Sequence, residues 1–190
     1  GMAKGSGMIK PNMATMLAFL TTDALLAPEI LHTALQQAVE RSFNRISVDN
    51  DTSTNDSVII LTNGKAGGEE IQPNSPVYDQ FCDGLNTVCI HLAKMLVRDG
   101  EGTTKLIEIQ VQNAASPDDA LAGARAIADS YLVKTAVYGQ DPNWGRILAA
   151  LGYAGITLIP ERITLSINGL PILGRHFRPV AQKAEAKKAL

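Results

Sequence analysis

The sequence predicts a protein of the mixed α+β or α/β class, because two kinds of apolar pattern alternate along its 190 residues. Short runs rich in β-branched residues, such as 57–62, are typical of strands. Longer stretches have an apolar residue at every third or fourth position, as between Cys82 and Leu96, and this spacing is typical of helices. The two kinds follow one another without an internal repeat, which favours helices layered on sheets.

The first half of the chain predicts strands and helices in alternation. Proline in a first turn, followed by an apolar face at helical spacing, predicts a helix from residue 28. The β-branched run that stops at Asn63-Gly64 predicts a strand, and its length indicates a buried one. The predicted elements are strand 16–20, helix 28–43, strand 46–51, strand 57–62 and a long helix that ends near Arg98.

The second half predicts a strand, a helix and a hairpin. Residues 106–111 alternate between two faces, as a strand does. Ser116 before a proline and two acids is a strong helix start, and this helix is expected to run to about Asp129. The pattern of residues 131–153 does not decide between helix and strand. Asn168-Gly169 between two apolar runs predicts a hairpin of residues 162–167 and 170–174, and residues 184–190 predict a helix.

Composition excludes several functional classes. The net charge of −2 gives no basic face for nucleic acid. No apolar run reaches the ~18 residues of a membrane span, and the N-terminus lacks a secretory pattern. Cys82 and Cys89 lie two helical turns apart, too far for a disulfide, and have no companions for a metal site. They are interpreted as buried thiols of a cytosolic protein.

Thr15 stands at the start of an apolar run. It follows one small residue, Ala14, and a glycine-containing stretch, residues 4–13, which we call the leader. One interpretation is structural, since threonine is a common strand residue. The other is a nucleophile in a self-cleaving chain. A threonine hydroxyl needs a base within hydrogen-bond reach, and cleavage before Thr15 would create one in its own α-amine, whose ordinary pKa is ~7.7–8.0.

Several motifs occur in one order along the chain, and they cover nearly all of it. They are KGSGMIKPNMATML at 4–17, DTSTND at 51–56, DGEG at 99–102 with Lys105 just after, LVKTA at 132–136 and DPNWGR at 141–146. Together they resemble the ornithine acetyltransferase family, also called the bifunctional glutamate N-acetyltransferases of arginine biosynthesis. In that family a precursor cuts itself between alanine and threonine, and the threonine heads the β chain.

The resemblance implies roles for four residues. Ala14 and Thr15 match the cleavage site, and Thr15 matches the nucleophile that takes the acetyl group and contacts substrate. Lys4 matches a substrate-binding lysine before the cut, and Glu101 a substrate-binding glutamate. A carboxylate suits that role because ornithine and glutamate both carry ammonium groups.

The resemblance also implies a layered αββα sandwich, pseudo-Ntn-like, followed by a smaller α/β region. We expect residues 1–14 to be the end of an α segment, 15–104 the nucleophile-bearing domain and 105–190 the smaller region. The family's oxyanion hole and its C-terminal site residues have no counterpart here. The chain is therefore expected to be a fragment, truncated at its C-terminus, that neither cleaves itself efficiently nor turns over substrate alone, since losing one oxyanion donor costs ~10²–10³ in rate.

The implied activity is acetyl transfer from N-acetylornithine to glutamate through an acetyl-threonine intermediate. Acetyl-CoA stays open as a further donor, and no metal or prosthetic group is implied. The implied partner is the α chain, in a heterotetramer in the cytoplasm. Two alternatives stay open: a related autoprocessing aminopeptidase or amidohydrolase, in which water takes the acyl group, and an inactive fragment.

Two other motifs have competing interpretations. The DTSTND loop begins like a calcium-binding loop, but position six is Thr54 instead of glycine and position twelve is Ile60 instead of glutamate. Hydrogen bonds from its side chains to backbone near the active strand are expected instead. In DPNWGR, Arg146 could bind substrate, but asparagine, proline and glycine together favour a structural turn.

Overall fold

The computed structural model describes residues 1–10, 16–51 and 55–190 of the chain. Its helices and small sheets confirm the mixed α/β class. The strands are β1 (Met2–Lys4), β2 (Leu17–Thr22), β3 (Ser57–Thr62), β4 (Leu165–Ile167), β5 (Leu170–Gly174) and β6 (Arg178–Pro179). The helices are α1 (Pro28–Arg41), α2 (Pro76–Arg98), α3 (Pro117–Asp129), α4 (Tyr131–Tyr138), α5 (Trp144–Gly152) and α6 (Lys183–Lys188).

The chain divides into two compact units, Gly1–Leu106 and Ile107–Leu190. The first unit contains a three-stranded sheet in the order β1-β2-β3. β1 is antiparallel to β2, and β2 is parallel to β3 with Leu17 opposite Ser57. Parallel neighbours require a crossover connection, and α1 lies within the one between β2 and β3.

Helices α1 and α2 cover one face of this sheet and form the core of the first unit with it. Ala18 and Leu20 point from β2 into a cluster that includes Leu92 and Leu96 of α2. Phe43, in a short 3₁₀ turn after α1, is fully buried in the same cluster. Truncating a phenylalanine at such a position typically costs about 3–5 kcal/mol, so this cluster carries much of the unit's stability.

The opposite face of the same sheet is apolar and exposed. Phe19 and Ile59 are paired in register and are 43% and 42% exposed, and Leu61 is 62% exposed. Met2, paired with Phe19 on the other side, is also exposed. The prediction of a buried strand at 57–62 is therefore right for the strand, but Ile59 and Leu61 are exposed because helices cover only one face of the sheet.

The predicted start of α1 is confirmed, while α2 begins at Pro76, inside the stretch 65–77 that was expected to be a loop. Pro28 occupies the first turn of α1, and the Ser75 side chain caps α2 by accepting a hydrogen bond from the Tyr78 backbone. Both cysteines of α2 are free: Cys82 is half-buried and Cys89 is fully buried. Burial raises the pKa of Cys89 to about 11, and a weaker opposing effect comes from its hydrogen bond with Ser42.

The predicted strand at 46–51 is not present. A 3₁₀ turn at Phe43–Arg45 leads into an irregular segment in which Asn50 has a positive φ of 69°. Its backbone bond to the leader, from Val48 N to Ile9 O, is 2.6 Å long. An alternating pattern with β-branched residues occurs whether or not a neighbouring strand is present. The pattern alone is therefore not enough to predict a strand.

The second unit is built from α3, α4 and α5 around a small core of Ile127, Val133 and Ala150. Ser116 caps α3 by accepting a hydrogen bond from Asp119 N, and the helix ends at Asp129 as predicted. The undecided segment 131–153 consists of two helices, α4 and α5.

The hairpin at Asn168-Gly169 is confirmed in the second unit. β4 and β5 are antiparallel on either side of these two residues, whose φ values are 47° and 81°. Positive φ at both positions is what a two-residue type I′ turn requires. The C-terminal residues form α6, and the Asn168 side chain donates to the carbonyl of Ala189 at 2.7 Å.

The predicted strand at 106–111 is also wrong, since no strand is assigned there. The segment is packed through side chains instead: Ile109 lies against the core of the second unit, and Val111 lies beside Gly123 of α3. A strand needs a bonded neighbour, and the sheet of this unit consists of β4, β5 and β6 in the part of the chain described. Alternation without such a partner does not make a strand.

None of the helices within residues 1–10, 16–51 and 55–190 combines the length and the apolar character that a membrane span requires.

Candidate active site

Lys4 lies beside the start of the strand that follows the predicted cleavage site. It ends β1 and is paired in register with Leu17, the first residue of β2 and the second after Thr15. Its side chain is exposed and has no ion-pair partner among the described residues. A cavity of about 980 Å³, between the leader and the last turns of α2, is lined by Lys4, Arg98 and Asp99 among others.

The leader that precedes the predicted cleavage site is held by Asp49. Its two carboxylate oxygens accept hydrogen bonds from consecutive backbone groups, Met8 N at 2.6 Å and Ile9 N at 3.0 Å. The Ile9 side chain is 1% exposed, and its carbonyl accepts from Val48 N. Charge-assisted bonds from two adjacent N–H groups orient this part of the leader firmly.

The chain just after the predicted cleavage site is held by Asp56. One oxygen of its buried carboxylate accepts a hydrogen bond from Met16 N. The Met16 carbonyl in turn accepts from Ser57 N at 2.9 Å, which continues the β2–β3 pairing. Burial raises the pKa of Asp56, and the bond from Met16 opposes that effect more weakly.

Ala14 and Thr15 themselves lie outside the described residues. The structure shows instead that aspartates bracketing the polar loop bind the chain on both sides of the junction, Asp49 before it and Asp56 after it. Of the DTSTND loop, Asp56 makes the expected kind of side-chain-to-backbone bond, whereas residues 52–54 lie outside the described residues. Sequence reasoning did not single out Asp49 and Asp56 as site residues because their partners lie about 40 residues away. The only signal was two acids on either side of a loop.

Glu101 lies against the leader. Its backbone nitrogen donates to the carbonyl of Ser6 at 2.8 Å, and its carboxylate faces Gly7. A Cβ on Gly7 would lie 3.6 Å from Glu101 Oε2 and 3.9 Å from Asp49 Oδ2. The Glu101 side chain is exposed, and no ion pair engages it in the described ranges.

The loop that carries Glu101 depends on a close backbone approach at Gly100. This residue is buried, and a Cβ there would lie 2.8 Å from Thr103 Oγ1 and 3.1 Å from both methyl groups of Val48. Val48 is the residue before Asp49, so the DGEG loop and the Asp49 anchor pack on one another. Glu101 is therefore held against the leader by backbone contacts of the DGEG loop, and not by its acidic side chains.

The structure brings Lys4 and Glu101 to the same leader, because Lys4 is two residues from Ser6. The two charges do not line one cavity, since Glu101 is not among the residues lining the space beside Lys4. Both are open to solvent and available to charged groups of a small molecule.

Two other motifs were considered for a site, and for DPNWGR the structure gives a structural role. In the described part of the chain, no three His, Cys, Asp or Glu side chains are grouped so as to hold a metal ion. In DPNWGR, the Asn143 side chain caps α5 by accepting from Arg146 N. The Arg146 guanidinium donates to Leu132 O at 2.9 Å and Thr135 Oγ1 at 3.1 Å, which ties α5 to α4.

This chain is similar to known proteins of arginine biosynthesis. The family model described as the ArgJ family matches residues 1–190. The chain is 55% identical over 190 residues to the arginine biosynthesis bifunctional protein ArgJ of Symbiobacterium thermophilum and 52% identical over 173 residues to that of Streptococcus thermophilus. These alignments cover 100% and 91% of this chain but only 47% and 44% of the relatives. The chain thus spans about half the length of these relatives.

A solved structure agrees. The crystal structure of the arginine biosynthesis bifunctional protein ArgJ from Bacillus halodurans matches with a TM-score of 0.88 and 43% identity. The match covers 92% of this chain and 82% of that chain.

Proposed function

Because the chain belongs to the ArgJ family, we propose that it is the nucleophile-bearing part of an enzyme that transfers an acetyl group from N-acetylornithine to glutamate. One observation carries the proposal: Asp49 and Asp56 bind the chain on both sides of Ala14-Thr15, the junction that the motifs assign to self-cleavage. A junction held on both sides suits a reaction whose rate depends on orientation.

The first proposed step is maturation. The Thr15 hydroxyl attacks the Ala14 carbonyl carbon, forming an ester and releasing the α-amine of Thr15 as the Ala14–Thr15 C–N bond breaks. Water then hydrolyses the ester and leaves Ala14 with a carboxylate. Chain lengths support this step. The match covers 82% of the crystallised Bacillus halodurans chain but less than half of the curated relatives. The crystallised chain is therefore much shorter than those relatives. Cleavage of a precursor would produce such a chain.

The second proposed step is ping-pong transfer. The α-amine of Thr15 takes the proton of the Thr15 hydroxyl while the oxygen bonds to the acetyl carbon of N-acetylornithine. The proton then passes to the leaving nitrogen, and ornithine departs. The amine of glutamate attacks the acetyl-threonine ester, which yields N-acetylglutamate and restores the Thr15 hydroxyl.

Lys4 and Glu101 are the proposed substrate-binding charges. The Glu101 carboxylate would hold a substrate ammonium, and the Lys4 ammonium would hold a substrate carboxylate, each by a charge-assisted hydrogen bond. Their exposure and lack of ion-pair partners in the part described support these roles. We propose no metal or prosthetic group. The names of the relatives include the word bifunctional, which makes acetyl-CoA the second donor to test.

The remaining part of the active site is proposed to come from the α chain, the partner that the resemblance implies. The exposed apolar face of the β1–β3 sheet supports this partner, since Phe19, Ile59 and Leu61 would be covered by a second sheet. That packing would complete the αββα sandwich, and the partner would supply the oxyanion hole. The proposed assembly is a cytoplasmic heterotetramer, and we propose that residues 1–190 alone are inactive.

The test uses the full-length precursor that contains this chain, incubated with N-acetylornithine and glutamate. Formation of N-acetylglutamate is expected, with loss of both cleavage and transfer in Thr15→Ala. Release of acetate without N-acetylglutamate would show a hydrolase instead. A Thr15→Ala precursor with wild-type chain length and activity would leave Thr15 without either proposed role.

A further inference from the structure

Asp56 has one carboxylate oxygen that the fold leaves without a partner. The residue directly precedes β3, and 9% of its surface is exposed. One oxygen accepts from Met16 N, while Oδ2 is buried and has no hydrogen bond among the described residues. Buried carboxylate oxygens are costly to leave unpaired, so a native structure that retains one requires an explanation.

Among the described residues, no positively charged neighbour of Asp56 accounts for the unpaired oxygen. The strands on either side, β2 and β3, carry no charged side chain. The pKa of Asp56 is raised by burial and lowered only by the Met16 bond, with no contribution from a charged neighbour. A cation next to Oδ2 would offset the energetic cost of burying this charged carboxylate.

Covalent connectivity identifies the nearest source of such a cation. Met16 N, which Asp56 already binds, is bonded to the carbonyl carbon of Thr15. The backbone nitrogen of Thr15 is three bonds further along the chain, and three backbone bonds span less than about 4 Å. Cleavage before Thr15 would turn that nitrogen into an amine, and the chain keeps it within that distance of the Met16 nitrogen that Asp56 binds.

We propose that Asp56 is the positioning residue for the α-amine of Thr15, with Oδ2 accepting a hydrogen bond from that amine. This inference rests on the proposed function, because only a cleaved chain has the amine. As the Thr15 oxygen bonds to the acetyl carbon, its proton moves to the amine, and the resulting ammonium faces a carboxylate. Asp56 remains ionised throughout, and the ammonium passes its proton to the leaving nitrogen. A nucleophile, its base and a third group that orients the base form the general arrangement of a triad.

An adjacent carboxylate raises the pKa of an amine, because it stabilises the charged form. The account therefore predicts that the pKa of the Thr15 amine in the matured wild-type enzyme lies above its ordinary range of ~7.7–8.0. Titration of the ¹³C shift of Thr15 Cα in the matured complex measures it directly. A value within or below that range overturns the proposal, and this measurement needs no variant.

The variant test compares Asp56→Asn and Asp56→Glu with Asp51→Asn, which alters an exposed carboxylate of the same loop. Each is made in the full-length precursor or, where cleavage stops, by co-expressing the two chains with the second beginning at Thr15. The acid limb of the profile of kcat/KM against pH reports the pKa of the Thr15 amine. In Asp56→Asn this limb is expected to move down by about one pH unit, because the amine no longer has a negatively charged carboxylate beside it. Asp56→Glu should restore the limb toward wild type, and Asp51→Asn should leave it unchanged.

An Asp56→Asn enzyme that is slower at every pH with an unmoved limb would show a purely structural role and overturn the proposal. Wild-type kinetics would overturn it as well. Loss of all activity in Thr15→Ala, together with either of these results, would retain the proposed function and remove only the role of Asp56. A fully active Thr15→Ala would remove both.

Discussion

Asp49 Oδ2 lies 2.6 Å from the backbone nitrogen of Met8, across 41 residues of chain. Met8 has a positive φ of 53°, a conformation that side chains other than glycine adopt at some cost. The bond thus holds a backbone turn in the leader that is unfavourable by itself. The predicted cleavage site follows six residues later, so Asp49 binds the chain before this junction and Asp56 binds it after the junction, at Met16.

We predict that Asp49→Ala releases the leader. Two backbone N–H groups, those of Met8 and Ile9, would lose a charged acceptor, which typically costs ~1–3 kcal/mol when the groups are not resolvated. Hydrogen exchange measured by mass spectrometry should show faster exchange at residues 8–9, and the full-length precursor should cleave more slowly. Asp51→Ala is the control, since that side chain is exposed. Unchanged exchange in Asp49→Ala would contradict the anchoring role.

We predict opposite signs for two glycine substitutions in the first unit. Gly100→Ala places a Cβ 3.1 Å from both methyl groups of Val48 and 2.8 Å from Thr103 Oγ1, so the DGEG loop must shift and stability should fall. Gly84→Ala lies in α2 with nothing within 4 Å of the added carbon, and stability should rise by up to ~1 kcal/mol.

Urea unfolding of both variants measures this difference. Substrate affinity in the full-length protein should fall in Gly100→Ala, because Glu101 is the next residue, and should be unchanged in Gly84→Ala. Equal stability of the two variants would show that the close approach at Gly100 is unimportant.

Cys89 should resist modification in the folded chain. Its pKa of about 11 means that few molecules carry the reactive thiolate at pH 8, and the side chain is fully buried. Iodoacetamide should label the half-buried Cys82 first and Cys89 only after unfolding, as peptide mass spectrometry would reveal. Equal labelling of both cysteines under native conditions would show that α2 opens readily.

The same pKa makes stability depend on alkaline pH. The folded chain keeps the Cys89 proton up to a pKa of about 11, whereas an unfolded chain loses it near the ordinary cysteine pKa of 9.0. Between these values the unfolded state binds fewer protons, so the free energy of unfolding falls as pH rises. Cys89→Ala, studied alongside the wild type, should remove this part of the decline.

The exposed sheet face should behave as an interface. Leu61→Ser is expected to reduce self-association of the isolated chain and to weaken its binding to the separately expressed preceding segment, because a 62% exposed leucine loses its apolar contact area. Val77→Ser, which alters a 54% exposed valine at the start of α2, is the matched control. Sedimentation and co-purification measure both effects, and equal behaviour of the two variants would contradict an interface on this face.

Local patterns predicted most of the helices and the hairpin because their signals are local. The Ser116 cap, the proline in α1 and the Asn168-Gly169 turn each act within four residues. Strands depend on partners elsewhere in the chain. Residues 57–62 have β2 beside them, whereas residues 46–51 and 106–111 have the same kind of pattern but form no strand.

The site residues were predictable from the sequence only where a motif contains them. Lys4 and Glu101 came from motif resemblance, and the structure places both on or against the leader. Asp49 and Asp56 act through bonds that span 40 and 41 residues, and no spacing rule links such positions. Only the fold, which pairs β2 with β3 in parallel, brings the loop before β3 to the segment before β2.

The most direct test of the central claim is an intact-mass measurement of the full-length protein after incubation with N-acetylornithine in the absence of glutamate. We predict two chains, one ending at Ala14 and one beginning at Thr15, with the mass of a single acetyl group added to Thr15 and removed when glutamate is supplied. A protein that forms N-acetylglutamate while remaining uncut, or that carries the acetyl group on another residue, would contradict the assignment of Thr15 as the self-generated nucleophile.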